Sequence, residues 1–458
     1  MSLEYQLEPK LSEIDRLAMV WYTDFLRRNE FHFENGSIVA DTSQLAAPTW
    51  GAPPISLEER ERAMRENFLV FNDHLAVLRS RFRAFYDLDP LDYTILVGKL
   101  GGTARLAPME GPPTSVFDRI GYADQTWMAP VDGLINEKQW SGPAATTFHQ
   151  QFLFKFHGAA AQQEAYARLL GVTAQALHEG VDKAHEALLR IADTCIARLS
   201  GDHGTPGLAD TMETLSITSI IAGALAFFPP LAVTAGTISL STSILGYAAS
   251  KGPTGDPYEV AEIEGYGAPE IIVSTYDAVI AVEAALGRLD KGLANCMSWD
   301  LADPTSFASP GLRLSRPNLA DDQSDMGRLT VGRAPDMPLA DDPVVVSIVD
   351  LYTAGYVNLA GAAGQYAEAA AKLATCVPSA PGNRYFPQSV VTFAEARDLL
   401  AGILRDTGEI LTDVGSALVE CANGYDLTDE QQADYLRQVE LVFTPIPEEP
   451  GRTRYGPV

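Results

Sequence analysis

A long run of apolar residues at alternating steps of four and three constrains the fold more than any other feature of this sequence. One set runs Met64, Phe68, Phe71, Leu75, Leu78, Phe82 and Phe85. This spacing places the whole set on one face of a helix, in the pattern of a coiled-coil seam that needs a helical partner. Ser56 and Glu59 stand at capping-box spacing and predict where this helix begins. A shorter stripe from Leu11 to Phe25 predicts a helix before it.

Helical spacing returns in the middle of the chain. We expect a helix from Val116 to about Gln139 and a longer one that begins at Pro143, joined by a tight turn as an αα-hairpin. A further helix is predicted over residues 269–299. Residues 86–114 are less regular and could hold a short strand, although no partner strand is evident.

The last third of the chain repeats the hairpin pattern. One stripe runs from Ile348 to Leu373, a proline-rich loop follows, and a second stripe runs from Phe393 to Cys421. Thr392 and Glu395 predict a capping box at the start of the return helix. The predicted fold class is therefore all-α: an elongated helical bundle of αα-hairpins with an apolar helical hairpin inserted.

That insertion is a stretch without charge, from Thr214 to Ser250. Pro229 and Pro230 divide it into halves of about 14 and 18 residues, each shorter than the roughly 20 that comfortably span a bilayer. We favour a buried hairpin that packs on the rest of the domain. A hairpin that inserts into a membrane under some conditions, and a permanent membrane anchor, are the two alternatives.

Charge and cysteine content limit the partners. The formal net charge is −27, so phosphate backbones repel the chain and we expect no nucleic-acid partner, whereas basic surfaces and divalent cations remain open. The cysteines show no metal-like spacing, and we expect small buried residues at these positions: Cys195, Cys296, Cys376 and Cys421. The N-terminus lacks the positive start and apolar run of a Sec signal, so export would use a different signal.

Motifs for catalysis do not stand out. The sequence has no P-loop, no GxSxG, no HExxH and no protein-kinase signature. His149 and His157 lie two helical turns apart and have no carboxylates at ligand spacing, so we expect packed or exposed histidines rather than metal ligands. We therefore expect no enzyme activity, no cofactor and no metal.

The turn between the first two long helices carries an informative motif, Trp140-Ser-Gly142-Pro143-Ala-Ala-Thr-Thr-Phe148. Gly142 allows the backbone of a tight turn, Pro143 suits the first position of a helix, and Trp140 can cover the hairpin end. This pattern resembles the WxG family of type VII secretion substrates. In that family a Trp-x-Gly turn joins two antiparallel helices and is often followed by Ala-Ala and a Phe.

A second motif follows the last predicted helix, where Tyr425 and Asp429 stand at Tyr-x-x-x-Asp spacing. In a helix the two side chains would share one face, although Asn423-Gly424 could end the helix just before them. The pattern resembles the C-terminal secretion signal of type VII substrates and the small secretion-associated proteins of that pathway. In the family the two motifs usually meet at one end of a bundle, so we expect the two hairpins to pair within this chain.

The resemblance covers residues 115–200 and 344–440 and implies a non-catalytic substrate of an actinobacterial type VII secretion system. Such a protein would be secreted to the medium or cell surface and act there as a helical interaction or structural component. Implied partners are the secretion ATPase or a chaperone, with Tyr425 and Asp429 as the recognised pair. A helical-hairpin partner, self-association and a membrane remain open. The alternative is a membrane-active, pore-forming or inserting effector that uses residues 215–248.

These patterns divide the chain into five parts. We expect an N-terminal helical region over 1–114 and a WxG-type hairpin with its apolar segment over 115–300. A linker or irregular loop over 301–343, a C-terminal hairpin with the secretion signal over 344–445 and a tail over 446–458 complete the plan.

Overall fold

A computed structural model describes most of the chain. The described residues are 2–41, 56–101, 112–137, 140–141, 143–201, 263–302, 307, 309–314, 347–378 and 384–424. The apolar stretch 215–248, most of the predicted linker 301–343 and the tail 446–458 lie outside them. The described residues confirm an all-α fold built as a helical bundle, with one small β-hairpin.

The N-terminal region contains two antiparallel helices, α1 (Leu3–Arg28) and α2 (Leu57–Arg83). Arg79 pairs with Asp15 at 2.9 Å and Arg83 with Glu8 at 2.7 Å, which ties the two helices together. The predicted capping box at the start of α2 is confirmed.

A β-hairpin lies between these helices, and the sequence analysis did not predict it. Strands β1 (Phe31–Glu34) and β2 (Ser37–Ala40) pair in antiparallel register. Asn35 and Gly36 form the turn with φ of 48° and 81°, the geometry that Asn-Gly favours because both positions need positive φ. Phe31 and Ile38 bury one face of the hairpin.

The expectation of a short strand within residues 86–114 is wrong. Helix α3 (Pro90–Leu100) occupies that segment and packs along the long helix of the first hairpin. The Asp89 carboxylate accepts a hydrogen bond from the Leu91 N–H at 2.9 Å, and Pro90 suits the first helical position. The apolar residues at 93, 96, 97 and 100 that suggested a strand form the buried face of this helix.

The first hairpin begins with α4 (Val116–Tyr122), continues through a π-helical turn (Ala123–Met128) and ends with α5 (Ala129–Asn136). The return runs through α6 (Pro143–Phe148), a second π-helical turn (His149–Leu153) and α7 (Phe154–Leu199). At 1.5 Å per residue the 46 residues of α7 extend about 69 Å. This helix packs against α1, α3 and α4, and the two longest helices that follow it in the chain also pack on it, so it forms the axis of the molecule.

Helix α8 (Ala268–Ala302) returns along α7 and also packs on α2, where Arg81 lies 3.3 Å from Glu283. After it, a 3₁₀ turn (Pro310–Leu312) lies against α7. Phe307 and Leu312 are buried, so the first part of the predicted linker packs on the bundle instead of lying exposed.

The second hairpin comprises α9 (Ile348–Thr353), a third π-helical turn (Ala354–Leu359) and α10 (Ala360–Ala374), then α11 (Pro387–Gly424). Helix α10 packs on α4, and α11 packs on α7 and α8. The two hairpins therefore pack against each other as a four-helix bundle within one chain.

The predicted capping box at Thr392 and Glu395 is wrong, because α11 begins five residues earlier. Its N-terminus is capped from a different helix: the buried carboxylate of Asp290 in α8 accepts hydrogen bonds from the backbone of Gln388 and Ser389. The Ser389 hydroxyl donates to the same carboxylate at 2.7 Å. Thr392 lies inside the helix and donates to the Gln388 carbonyl.

Candidate functional site

The end of the four-helix bundle that holds the Trp140 turn is the site predicted from sequence. Trp140 is 1% exposed, and its backbone N–H donates to the Leu134 carbonyl at 2.8 Å. Its ring lies 5.4 Å from that of Phe148, which begins a ladder of Phe148, Phe152 and Phe156 at 5.3 and 6.0 Å. Trp140 therefore closes the hairpin end over an aromatic core. Gly142 lies outside the described residues.

The second hairpin begins and ends at the same end of the bundle as the Trp140 turn. The π-helical turn at 354–359 contacts α5, which leads into the Trp140 turn. A Cβ added to Gly355 would lie 2.6 Å from the Gly415 carbonyl oxygen, so α11 passes very close to this turn. The Tyr352 hydroxyl donates to the Asn423 side chain near the end of α11.

Helix α11 ends at Gly424, directly before Tyr425. Tyr425 and Asp429 lie outside the described residues. The structure thus brings the Trp140 turn and the residue that precedes the Tyr-x-x-x-Asp motif to one end of the bundle, and the prediction for Tyr425 and Asp429 themselves stays a prediction.

Three π-helical turns are concentrated in this half of the bundle. The turns at 123–128 and 354–359 contact each other across the two hairpins, and the third follows the Trp140 turn. Trp127, in the first of them, packs against Gly361, where an added Cβ would lie 2.5 Å from the nearest indole atoms. Such turns change the register of a helix locally and are frequent at functional sites.

Beside these turns lies a cluster of ionisable groups that the sequence did not reveal. His157 of α7 is held between two aspartates, with Nδ1 at 2.6 Å from Asp124 and Nε2 at 3.0 Å from Asp132. The hydrogen bonds to Asp124 and then Asp132 raise the pKa of His157 to about 10, so the ring is an imidazolium at neutral pH. Because both nitrogens are engaged, this histidine offers no free nitrogen to a substrate or metal ion.

The cluster extends into the interface between the hairpins. Burial raises the pKa of Glu164 to about 7, and the nearby Asp124 adds to this effect. The Tyr366 hydroxyl of α10 is fully buried and has no hydrogen-bond partner among the described groups. Arg119 of α4 pairs with Glu368 and donates to Gln365 at 3.0 Å, which links the hairpins at the rim.

The sequence missed the partners of His157 because they are 33 and 25 residues away along the chain. The available signal for this site was a pair of aspartates eight residues apart on one arm of a hairpin, opposite a histidine on the other arm. Sequence spacing within one helix could not show it.

The described part of the chain offers few candidates for a metal site, a reactive cysteine or a membrane-spanning helix. It holds no group of three or more His, Cys, Asp or Glu side chains arranged for a metal ion. All four cysteines are buried and unbridged, and burial raises the pKa of Cys195 and Cys296 to about 12. Among the described helices, none combines the length and apolar character needed to cross a membrane.

Comparisons with known proteins found no matching family model, no matching curated protein and no matching solved structure.

Proposed function

We propose that this protein is a non-catalytic substrate of an actinobacterial type VII secretion system and acts outside the cell as a helical interaction or structural component. The observation that carries the proposal is that the Trp140 turn and the end of α11 lie at the same end of the bundle. Trp140 closes one hairpin at the bundle end where α11 of the other hairpin leads into Tyr425. A secretion receptor could there contact a rigid, folded end together with the residues that follow it.

The bundle itself supports this interpretation. Both hairpins belong to one chain, so the Trp140 turn and the end of α11 are held together without a second protein. Arg119 of the first hairpin also pairs with Glu368 of the second. We infer that the chain is recognised as a folded unit by the secretion ATPase or a chaperone.

The test is export from an actinobacterial host. Wild type is compared with Tyr425→Ala and Asp429→Ala, and circular dichroism on purified protein checks that the variants fold. Tyr266→Ala is the matched control, because Tyr266 is fully exposed beside the far end of α7. We expect wild type and the control in the medium and the two signal variants inside the cell. Equal export of all four proteins would contradict the proposal.

The alternative, a secreted membrane-active effector, draws on the uncharged stretch at 215–248. The described residues that flank it, Gly201 and Ile263, lie at the far end of α7 and α8 from the Trp140 turn. A membrane-inserting segment there would leave the signal end free. Leakage of dye from liposomes at neutral or acidic pH, abolished by placing lysines in 215–248, would favour this alternative over a structural role.

A further inference from the structure

Glu164 of α7 lies at a junction of three helices. Its carboxylate faces α4 at Gly121, where an added Cβ would collide with Glu164 Oε1, so the missing side chain makes room for the carboxyl group. The third helix, α10, packs on α4 and reaches α7 through Tyr366. The Tyr366 ring lies 6.1 Å from that of Phe156 in α7. Glu164 is therefore placed where the second hairpin meets the first.

The groups around Glu164 offer more negative than positive charge. Burial raises the pKa of Glu164 most; Asp124 of the π-helical turn and Asp118 of α4 raise it further, and Arg168, one turn along α7, opposes them. From α10 the facing group is the neutral hydroxyl of Tyr366, which is fully buried and has no hydrogen-bond partner among the described groups. An ionised Glu164 would face two carboxylates and one cation in a place with little access to water.

The second hairpin is the part of this junction that can move. The two arms of the first hairpin are held together by His157, which lies 2.6 Å from Asp124 and 3.0 Å from Asp132. The ion pair that joins α10 to α4 is Arg119 with Glu368, and the Glu368 side chain is 58% exposed, so the pair contributes little free energy. Movement of α10 away from α4 would admit water to Glu164 and leave the first hairpin intact.

We propose that Glu164 is a proton-operated latch between the two hairpins: α10 stays on α4 while the carboxyl holds its proton, and separates from α4 when the carboxyl ionises and takes up water. The sign follows from linkage. The pKa of Glu164 rises from 4.5 to about 7 in the closed structure. The stabilisation of the closed form is therefore fully present below pH 4.5 and is lost as pH rises through 7. This device is independent of the proposed export.

Three variants separate the latch from a general loss of stability. Glu164→Gln keeps the size of the side chain and removes its ionisation, so it should hold the closed form at every pH. Glu409→Gln is the matched control, because Glu409 is an exposed glutamate of α11. Arg168→Gln removes the cation that favours ionised Glu164 and should move the opening to higher pH.

The measurement is hydrogen exchange of the full chain by mass spectrometry at pH 5 and 6.5, with each rate referred to that of an unstructured chain at the same pH. Protection of α4 and α10 amides in wild type and Glu409→Gln should fall about tenfold over this range, and protection of α1 amides should stay constant. In Glu164→Gln, protection of α4 and α10 should change by about twofold at most, which is the share that His157 can add below pH 6.5.

Arg168→Gln provides a test that does not depend on the folding of Glu164→Gln. Its α4 and α10 amides should lose less protection than those of wild type between pH 5 and 6.5 and lose the rest above pH 7, and adding Glu164→Gln should abolish this dependence. Constant protection in wild type would overturn the proposal, as would an equal fall in Glu164→Gln. An equal fall in α1 would overturn it too, because the opening would then not be local to the hairpins.

Discussion

The arrangement of His157 between Asp124 and Asp132, which we call the His157 clamp, predicts a specific dependence of stability on pH. The perturbation is His157→Gln, which keeps a polar side chain but removes the positive charge between Asp124 and Asp132. The pKa of His157 rises from 6.5 to about 10 on folding, which corresponds to about 5 kcal/mol if all of it stabilised the fold. The side chain is 39% exposed, so solvent screening reduces the expected contribution to about 1–2 kcal/mol.

The sign follows from linkage. A group whose pKa is higher in the folded state adds stability that is fully present below its unfolded pKa of 6.5 and is lost as pH rises to about 10. Urea unfolding of wild type and His157→Gln at a series of pH values measures this. The difference in the free energy of unfolding should be about 1–2 kcal/mol near pH 6 and should shrink steadily towards pH 10.

His149→Gln provides the control, because His149 lies eight residues earlier in the same hairpin and is exposed. Its substitution should change the free energy of unfolding little at any pH. A difference between wild type and His157→Gln that stays constant from pH 6 to 10, or that is absent at pH 6, would refute the clamp.

Three further predictions concern packing and capping. Trp140→Ala should lower the free energy of unfolding by about 3–5 kcal/mol, measured in urea, whereas Trp299→Ala, at a residue 58% exposed, should lower it by less than about 1 kcal/mol. Gly355→Ala should destabilise by about 1–3 kcal/mol because the helices cannot separate freely, whereas Gly364→Ala should raise the melting temperature slightly; the reverse order would contradict the close approach. Asp290→Ala should lower the free energy of unfolding by about 1–3 kcal/mol and speed the hydrogen exchange of backbone amides in the first turn of α11. Unchanged exchange in that turn would contradict the cap.

Periodicity predicted the helices well because each one buries a single stripe against its neighbours. The stripe from Met64 to Phe85 and the hairpin around Trp140 illustrate this: a local repeat determines which face is apolar, and the apolar face must be buried. The strand prediction for residues 90–100 was wrong because it rested on the apolar residues alone. Asp89 and Pro90 form a helix start, which was the stronger signal.

Features that depend on distant partners could not be predicted from local spacing. The start of α11 is set by Asp290, 98 residues earlier, so a local capping box at Thr392 was a plausible but wrong alternative. The His157 clamp likewise combines residues from both arms of a hairpin. The β-hairpin is a different case, because Asn35-Gly36 between short alternating segments was a usable local signal.

Export through a type VII secretion system is the central claim, and its most direct test compares two strains. The full chain is expressed in an actinobacterium with an intact system and in the same strain without the membrane ATPase of that system. Immunoblots of medium and cells, with a cytoplasmic marker for lysis, give the exported fraction. We predict the protein in the medium of the intact strain only. Equal amounts in both media, or none in either, would contradict the account.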